Sequence, residues 1–157
     1  MIALLGDTHM PRGERRLPDA CVEVLARADA ILHTGDFTEA FVLEEVRAFA
    51  PVHAVHGNVD EWPLREALPE RLVVELEGLR IGLVHDPGPV PGRGARLREW
   101  FPACDVVAYG HTHWPEVVSE HGVWIVNPGS PTERRRAPEH TMVVVEGGEP
   151  RLMVVHA

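Results

Sequence analysis

Cysteine is nearly missing from this chain of 157 residues: Cys21 and Cys104 are the only two, and they lie far apart. Cys21 falls on an apolar helical face and Cys104 just ahead of a strand, so both are expected as small buried thiols rather than a disulfide. Positive charge is scarce too. Lys and Arg number 15 against 24 Asp and Glu, a formal net charge of -9. That excludes a general coat for long nucleic acid, which needs a basic stripe to displace counterions. A small phosphorylated substrate stays open if bound metal supplies positive charge locally, with Asp7, Asp36 and Asp60 in that accounting. No apolar run approaches the roughly 20 residues of a membrane span, and no charged-then-apolar leader precedes Ile2. A soluble, cytoplasmic protein free of the membrane is the resulting expectation. Repeats and low-complexity stretches are also lacking, and Arg134-Arg135-Arg136 is the only sharp charge run. One domain over residues 1–157 is expected, long enough to bury roughly 70% of its unfolded surface.

What the chain does have is a series of short apolar runs, each closed by polar residues. Ile2-Ala3-Leu4-Leu5 reads as a strand buried on both faces and leads into Gly6-Asp7-Thr8-His9. Cys21, Val24, Leu25 and Ala28 recur at helical spacing after Pro18 and Asp19, which suit a helix start. Ala30-Ile31-Leu32-His33 is the next strand, ending in Thr34-Gly35-Asp36; a helix over about Glu39 to Phe49 follows. Val52 to Val55 closes with His56-Gly57-Asn58. Strand–helix–strand–helix–strand predicts parallel strands with crossover helices, and ligands collect beyond the carboxyl ends of such strands. Leu72–Leu76 and Leu79–Val84 look like a hairpin ended by His85, and Leu97, Trp100 and Phe101 mark a short helix. The Val106–Tyr109 run leads to Gly110-His111-Thr112-His113, and Val117-Val118, Val123–Val126, Met142–Val145 and Leu152–Val155 are further short strands. The second half is therefore expected to be richer in β-structure and more antiparallel. Two sheets packed face to face, with helices outside, would bury every run.

The strand-end residues form a donor set. Asp7, His9, Asp36, Asn58, His85, His111 and His113 comprise two carboxylates, one amide oxygen and four imidazoles. Mixed oxygen and nitrogen donors suit manganese, iron, zinc, nickel or cobalt better than calcium or magnesium, and the lack of cysteine weakens a structural-zinc reading. Seven donors exceed what one such ion takes once water is counted. Shared through one bridging carboxylate, they supply four to each of two ions. Asp7 and His9, alternating on an extended backbone, would point to one side. The glycines before Asp36, Asn58 and His111 would permit the sharp turns that aim these side chains into a cleft.

Asp7-Thr8-His9, Gly35-Asp36, Gly57-Asn58, His85 and Gly110-His111-Thr112-His113, in this order and spacing, resemble the calcineurin-like metallophosphoesterases. The likeness runs from Asp7 to Asn127-Pro128-Gly129-Ser130; the short length, GHTH and NPGS resemble the small bacterial and archaeal phosphodiesterase branch. It implies an α/β fold, a four-layer α/β/β/α sandwich of two mixed sheets. It assigns Asp7, His9 and His113 to a first ion and Asn58, His85 and His111 to a second, with Asp36 bridging. Two divalent ions, manganese favoured, would hold a hydroxide for in-line attack on a small phosphate ester, nucleotide-like esters among the candidates. The same fold serves a retromer scaffold subunit, so a non-catalytic interaction protein is the contrasting reading, although such a scaffold is expected to lose ligands. A phosphomonoesterase or protein phosphatase is the other enzyme reading.

The chain departs from the wider family at Gly57-Asn58-Val59-Asp60. Many relatives carry a histidine after the asparagine to protonate the leaving oxygen, and Val59 cannot. General-acid help is worth about 10²–10⁴-fold, so His56 and His33 are weighed as substitutes, each against a packed strand-end histidine. Asn58 and Arg134 are candidate phosphate contacts, Arg134 competing with a solvated turn. Asp86 stands where this branch often has glycine, either repelling phosphate or orienting a ligating histidine. The segment between His85 and Gly110 is too short for a large cap, leaving selection to few contacts or a partner subunit, and a homo-oligomer stays open. Trp62, Trp100 and Trp114 are expected to be exposed, for an interface or a substrate wall.

Overall fold

The computed structural model describes residues 1–156. Its strands are β1 (Ile2–Leu5), β2 (Ala30–His33), β3 (Val52–Ala54), β4 (Arg71–Leu76), β5 (Leu79–Val84), β6 (Val106–Tyr109), β7 (Glu116–Glu120), β8 (Val123–Asn127), β9 (Thr141–Glu146) and β10 (Glu149–Val154). Helices α1 (Asp19–Leu25), α2 (Ala40–Arg47), α3 (Trp62–Ala67) and α4 (Arg93–Trp100) connect them. Two mixed five-stranded sheets result, ordered β10-β9-β1-β2-β3 and β4-β5-β6-β8-β7.

Alternation along each strand decides which layer a side chain joins. Ile2 and Leu4 turn toward the other sheet and pack with Leu32, Ile81, Leu83 and Val106. Ala3 and Leu5 turn the other way, onto Cys21, Val24 and Leu25 of α1 and Val42, Leu43 and Val46 of α2. Burial of each of these aliphatic side chains is worth about 1.5–3 kcal/mol, which is why helices as short as α1 and α2 hold. On the outer face of the second sheet, Val84, Val107, Tyr109 and Ile125 pack with Leu97 of α4 and Phe101 just past its end. Helices thus flank both sheets.

The second half is not antiparallel throughout. Strands β5, β6 and β8 run parallel in the centre of the second sheet, and antiparallel pairing is confined to β4 and β7 at its edges. The last two strands leave that sheet: β9 pairs antiparallel with β1, completing the first sheet beyond its parallel β1-β2-β3 core. Valines Val143, Val144 and Val145 are buried on both faces, so β9 has to sit inside a sheet rather than at its margin. Cys21 and Cys104 are free and buried, as expected. Trp62 and Trp114 are exposed, whereas Trp100 is half-buried beneath the Arg71 side chain.

Candidate metal centre

The polar segments after β1, β2, β3, β5 and β6 meet at one end of the two sheets. Backbone bonds stitch them together beyond the strands: Asp7 N donates to Gly35 O (2.9 Å), His9 N to Asp36 O (3.0 Å) and Gly110 N to His85 O (3.0 Å). Asp7 (φ 52°), His9 (46°), Asp36 (60°), His111 (70°) and His113 (58°) all adopt left-handed backbone. Each such residue costs about 1–2 kcal/mol, and a cluster of them is strain that the surroundings hold in place at one spot. Asp7 and His9 therefore converge because both turn through positive φ, not because an extended strand alternates. Only Gly35 (φ 96°) among the three turn glycines needs its conformational freedom. Gly57 and Gly110 are required for room instead. A Cβ on Gly57 would overlap the Asp36 carboxylate, and one on Gly110 would lie 2.7 Å from Thr34 Oγ1.

The side chains form two groups, Asp7 with His9 and His113, and Asp36 with His85 and His111. In the first, His9 Nε2 lies 3.2 Å from His113 Nε2, and His113 Nε2 lies 3.8 Å from Asp7 Oδ1. In the second, Asn58 Oδ1 lies 3.0 Å from His85 Nε2 and 3.1 Å from His111 Nδ1, with 3.3 Å between the two ring nitrogens. One oxygen joins the groups: Asp36 Oδ2 is 3.4 Å from His9 Nε2 and 3.3 Å from His85 Nε2.

Donor chemistry shows that these groups fit a cation. His85 Nδ1 donates to the Thr34 carbonyl (2.9 Å), which turns Nε2 toward oxygens of Asn58 and Asp36, as a donor when the ring is protonated and as a lone pair when it is neutral. His113 Nδ1 donates to the Glu133 carbonyl, so its Nε2 lone pair faces His9. A hydrogen bond from one ring nitrogen to a backbone carbonyl is how ligating imidazoles are oriented. Neighbouring donors about 2.0–2.1 Å from a tetrahedral centre stand about 3.3 Å apart, close to the spacings seen here. Asp7 Oδ2 is buried with no hydrogen-bond partner, a costly orphan in a protein interior unless something else satisfies it. Burial, with the charge of Asp36, pushes the Asp7 carboxyl up to about 7 against the pull of His85. Burial acts upward on Asp36 as well, but the hydrogen bond and charge of His85 outweigh it and hold that carboxyl at about 2. Burial pulls His113 down to about 4 and lowers His9, while His85 is raised by Asp36 and Asp7 despite its burial.

A family model of the calcineurin-like phosphoesterase superfamily domain matches residues 1–149. The chain belongs to that superfamily. A probable metallophosphoesterase of Methanothermobacter thermautotrophicus is 35% identical over 153 residues, covering 95% of this chain and 87% of that one. A Methanocaldococcus jannaschii protein named a phosphodiesterase is 28% identical, covering 82% of each chain. Among solved structures, a single-site variant of Vps29 from Entamoeba histolytica is 25% identical with a TM-score of 0.79, over 98% of this chain and 97% of that one. A structure described as a novel archaeal phosphodiesterase has the same fold, with 22% identity, a TM-score of 0.77 and coverage of 98% and 99%. Divalent metal follows from the family, and the two donor groups are the candidate ligands for it.

The remaining candidates divide. His33 is wholly buried, stacked on Phe37 with 3.6 Å between ring centroids. Its Nδ1 accepts from Gly35 N (3.1 Å) and its Nε2 meets Thr8 Oγ1 (3.3 Å). Burial drives it down to about 3, so it is a neutral structural histidine rather than a proton donor. His56 is half-buried and lines a cavity of about 430 Å³ together with Asn58 and His85. Arg134 uses its guanidinium on the Ala137 carbonyl (2.7 Å) and closes its own turn. Arg135 is the arginine of that run whose charge acts on Asp7, His9 and His113. Asp86 accepts from Gly88 N (2.8 Å) and does not orient His85, a role the Thr34 carbonyl fills.

Several residues have roles that sequence reasoning did not assign them. Asp60 is buried and accepts from Asp36 N (3.1 Å), Thr38 N (2.8 Å) and Gly57 N (2.6 Å), clamping the loops that carry Asp36 and Asn58. Ser130 Oγ donates to Asp7 O (2.7 Å) and Thr132 Oγ1 to Thr8 O (2.6 Å). Asn127 Nδ2 donates to Thr112 Oγ1 (2.9 Å). The NPGS stretch is thus a brace between the Asp7 and His113 loops. Glu133, ion-paired with Arg15 at 2.8 Å, stands 3.7 Å from His9 Nε2. In the sequence Asp60 counted only as charge near the metal and the NPGS stretch only as part of a resemblance, because a lone Asp or Ser in a turn does not announce its partners.

Proposed function

We propose that the protein is a two-metal phosphodiesterase acting on small phosphate esters. The observation that carries this reading is the position of Asp36 Oδ2 between His9 and His85, at 3.4 and 3.3 Å. Asp7, His9 and His113 would hold one divalent transition-metal ion and Asn58, His85 and His111 the second, with Asp36 shared; the oxygen and nitrogen donor set favours manganese, with iron, zinc, nickel and cobalt as alternatives. Two such ions supply a water of lowered pKa and fixed positive charge for a phosphoryl group.

The chain's own groups do the rest. Asp60 holds the Asp36 backbone, and the Val59 N–H, which donates to Asp36 Oδ1 at 3.0 Å, orients the shared carboxylate. Asn58 is exposed, so its amide is available to a phosphate oxygen as well as to the metal. His56, on the wall of the adjoining cavity, is the candidate for protonating the leaving oxygen in place of Val59. A phosphodiester with a good leaving group needs that proton least, which favours diesters of acidic alcohols over alkyl monoesters. Long nucleic acid is disfavoured by the net charge of -9. Arg134 contacts phosphate in this reading only if it releases Ala137.

The test compares p-nitrophenyl phosphate with bis(p-nitrophenyl) phosphate, with and without manganese, on protein of measured metal content. Faster manganese-dependent turnover of the bis ester is expected. Activity on neither substrate with two ions bound per chain would transfer the protein to the scaffold reading, which the likeness to Vps29 and the exposed Trp62 and Trp114 favour.

A further inference from the structure

The cavity beside Asn58 and His85 holds two arginines that the proposed hydrolysis leaves without a task. Arg71 sits over Trp100, its guanidinium carbon 3.9 Å from the ring centroid, and Arg65 joins it in the lining. Among the described residues neither has a carboxylate within the 4.0 Å of an ion pair. Both acidic residues of the lining, Glu70 and Asp86, therefore stand off from them. Asp86 is also engaged with Gly88 N. Trp100 has a second arginine against it: Arg96 lies 5.9 Å from its ring and donates to the carbonyls of Pro87 (2.8 and 2.9 Å) and Pro91 (3.3 Å). The cavity rim and the surface under Arg71 are thus built as one piece.

A guanidinium stacked on an aromatic face keeps its N–H edge free, and that planar fork matches phosphate oxygens. Stacking also removes much of the rotamer entropy that a free arginine loses on binding. Two guanidinium groups with no carboxylate at ion-pair distance, offset in the lining only by the more distant Glu70 and Asp86, make a locally neutral wall in a chain of net charge -9, and they border the end of the candidate metal centre that is open. We propose that this cavity is a second-phosphate subsite, in which Arg71 and Arg65 bind a phosphate monoester carried elsewhere on the ester whose reacting phosphoryl group lies at Asn58 and His85. A phosphate dianion, rather than a carboxylate, neutralises both arginines. The substrate class is then a phosphorylated alcohol or nucleotide bearing a second phosphate. This inference rests on the phosphodiesterase reading and narrows it.

The experiment uses thymidine 5′-(p-nitrophenyl phosphate) and the same compound carrying a 3′-phosphate, with manganese-loaded protein. The added phosphate is expected to lower KM about tenfold or more, the gain of one charged hydrogen-bond pair. Arg71→Met and Arg65→Met each shrink that ratio toward one, while Arg71→Lys, which keeps charge but not the stacked fork, retains part of it. Calorimetric titration with thymidine 3′,5′-bisphosphate against the 5′-monophosphate reads the same subsite without turnover, and melting curves confirm that the variants fold. Hydrolysis of both esters with equal KM overturns the subsite and leaves the phosphodiesterase standing. A ratio that survives both methionine variants overturns it too. If neither ester is hydrolysed, the phosphodiesterase reading falls, and bisphosphate binding that is no tighter than monophosphate binding removes the subsite with it.

Discussion

The two halves of the candidate metal centre are built differently. Asp7, His9 and His113 are at most 1% exposed and are braced from behind by Ser130, Thr132 and the Glu133 carbonyl. His111 is half-buried and Asn58 exposed, and Asn58 opens on the cavity that Trp100 and Arg71 wall. One half is closed into the fold and the other faces solvent. A closed half suits permanent tenure of an ion, and an open half suits exchange of substrate. Asp36 belongs to both, which makes it the first place to break the contrast. Asp36→Asn is expected to lower phosphoesterase activity about a thousandfold, the several kcal/mol that metal-assisted charge stabilisation supplies. Metal content measured on the same sample should fall at both halves. Loss of activity with full metal content would show that Asp36 does not join them.

Asp60 supports the open half from the inside. Asp60→Ala leaves the N–H groups of Asp36, Thr38 and Gly57 without their acceptor. Each buried orphan costs about 1–3 kcal/mol, and two of the three, on Asp36 and Gly57, are fully buried, so a loss of at least about 2 kcal/mol is expected in chemical denaturation of chelator-treated protein. Denaturation within about 0.5 kcal/mol of the parent would mean that these loops hold their shape without the clamp.

Much of the frame was readable beforehand, because apolar runs ended by polar residues leave few alternatives to buried strands. The Ile2–Leu5 and Val106–Tyr109 runs are β1 and β6, and the residues that follow them do converge. The manner of convergence was not readable. Left-handed backbone at Asp7, His9 and His113 depends on braces from residues 127–133, more than a hundred positions from Asp7, and nothing local to Asp-x-His announces it. The role of Gly57 was misassigned for a related reason: a glycine kept for lack of space looks, in sequence, like one kept for a turn. Placing β9 in the first sheet was equally out of reach, since Thr141–Glu146 reads as a generic strand until its neighbours are known. Asp60 and Glu133 act on partners across the fold, and only tertiary structure relates them to the site.

The closed and open halves should also differ in what their histidines do for stability. His113→Ala removes a buried ring and leaves the Glu133 carbonyl unpaired, a cost of about 1–3 kcal/mol. His111→Ala removes a half-exposed ring, with an expected change within about 0.5 kcal/mol. Denaturant midpoints on metal-free protein separate the two, and equal values would erase the distinction between the halves.

A change of slope rather than of midpoint tests whether the layer beneath the closed half is as dry as its packing implies. His33, stacked on Phe37 and wholly buried, is held down to about 3 by burial first and by the charge of His85 second. In the unfolded chain an imidazole titrates at about 6.5. Between these values the unfolded state binds the extra proton, so the stabilising preference for neutral His33 is fully present above about pH 6.5 and is lost as pH falls toward 3. The slope contributed is up to about 1.4 kcal/mol per pH unit. His33→Gln offers Thr8 and Gly35 polar partners but no proton to gain, and it should flatten the fall in stability of metal-free protein between about pH 6 and pH 4. An unchanged slope would mean that water already reaches the ring, and that the closed half is closed only toward the substrate side.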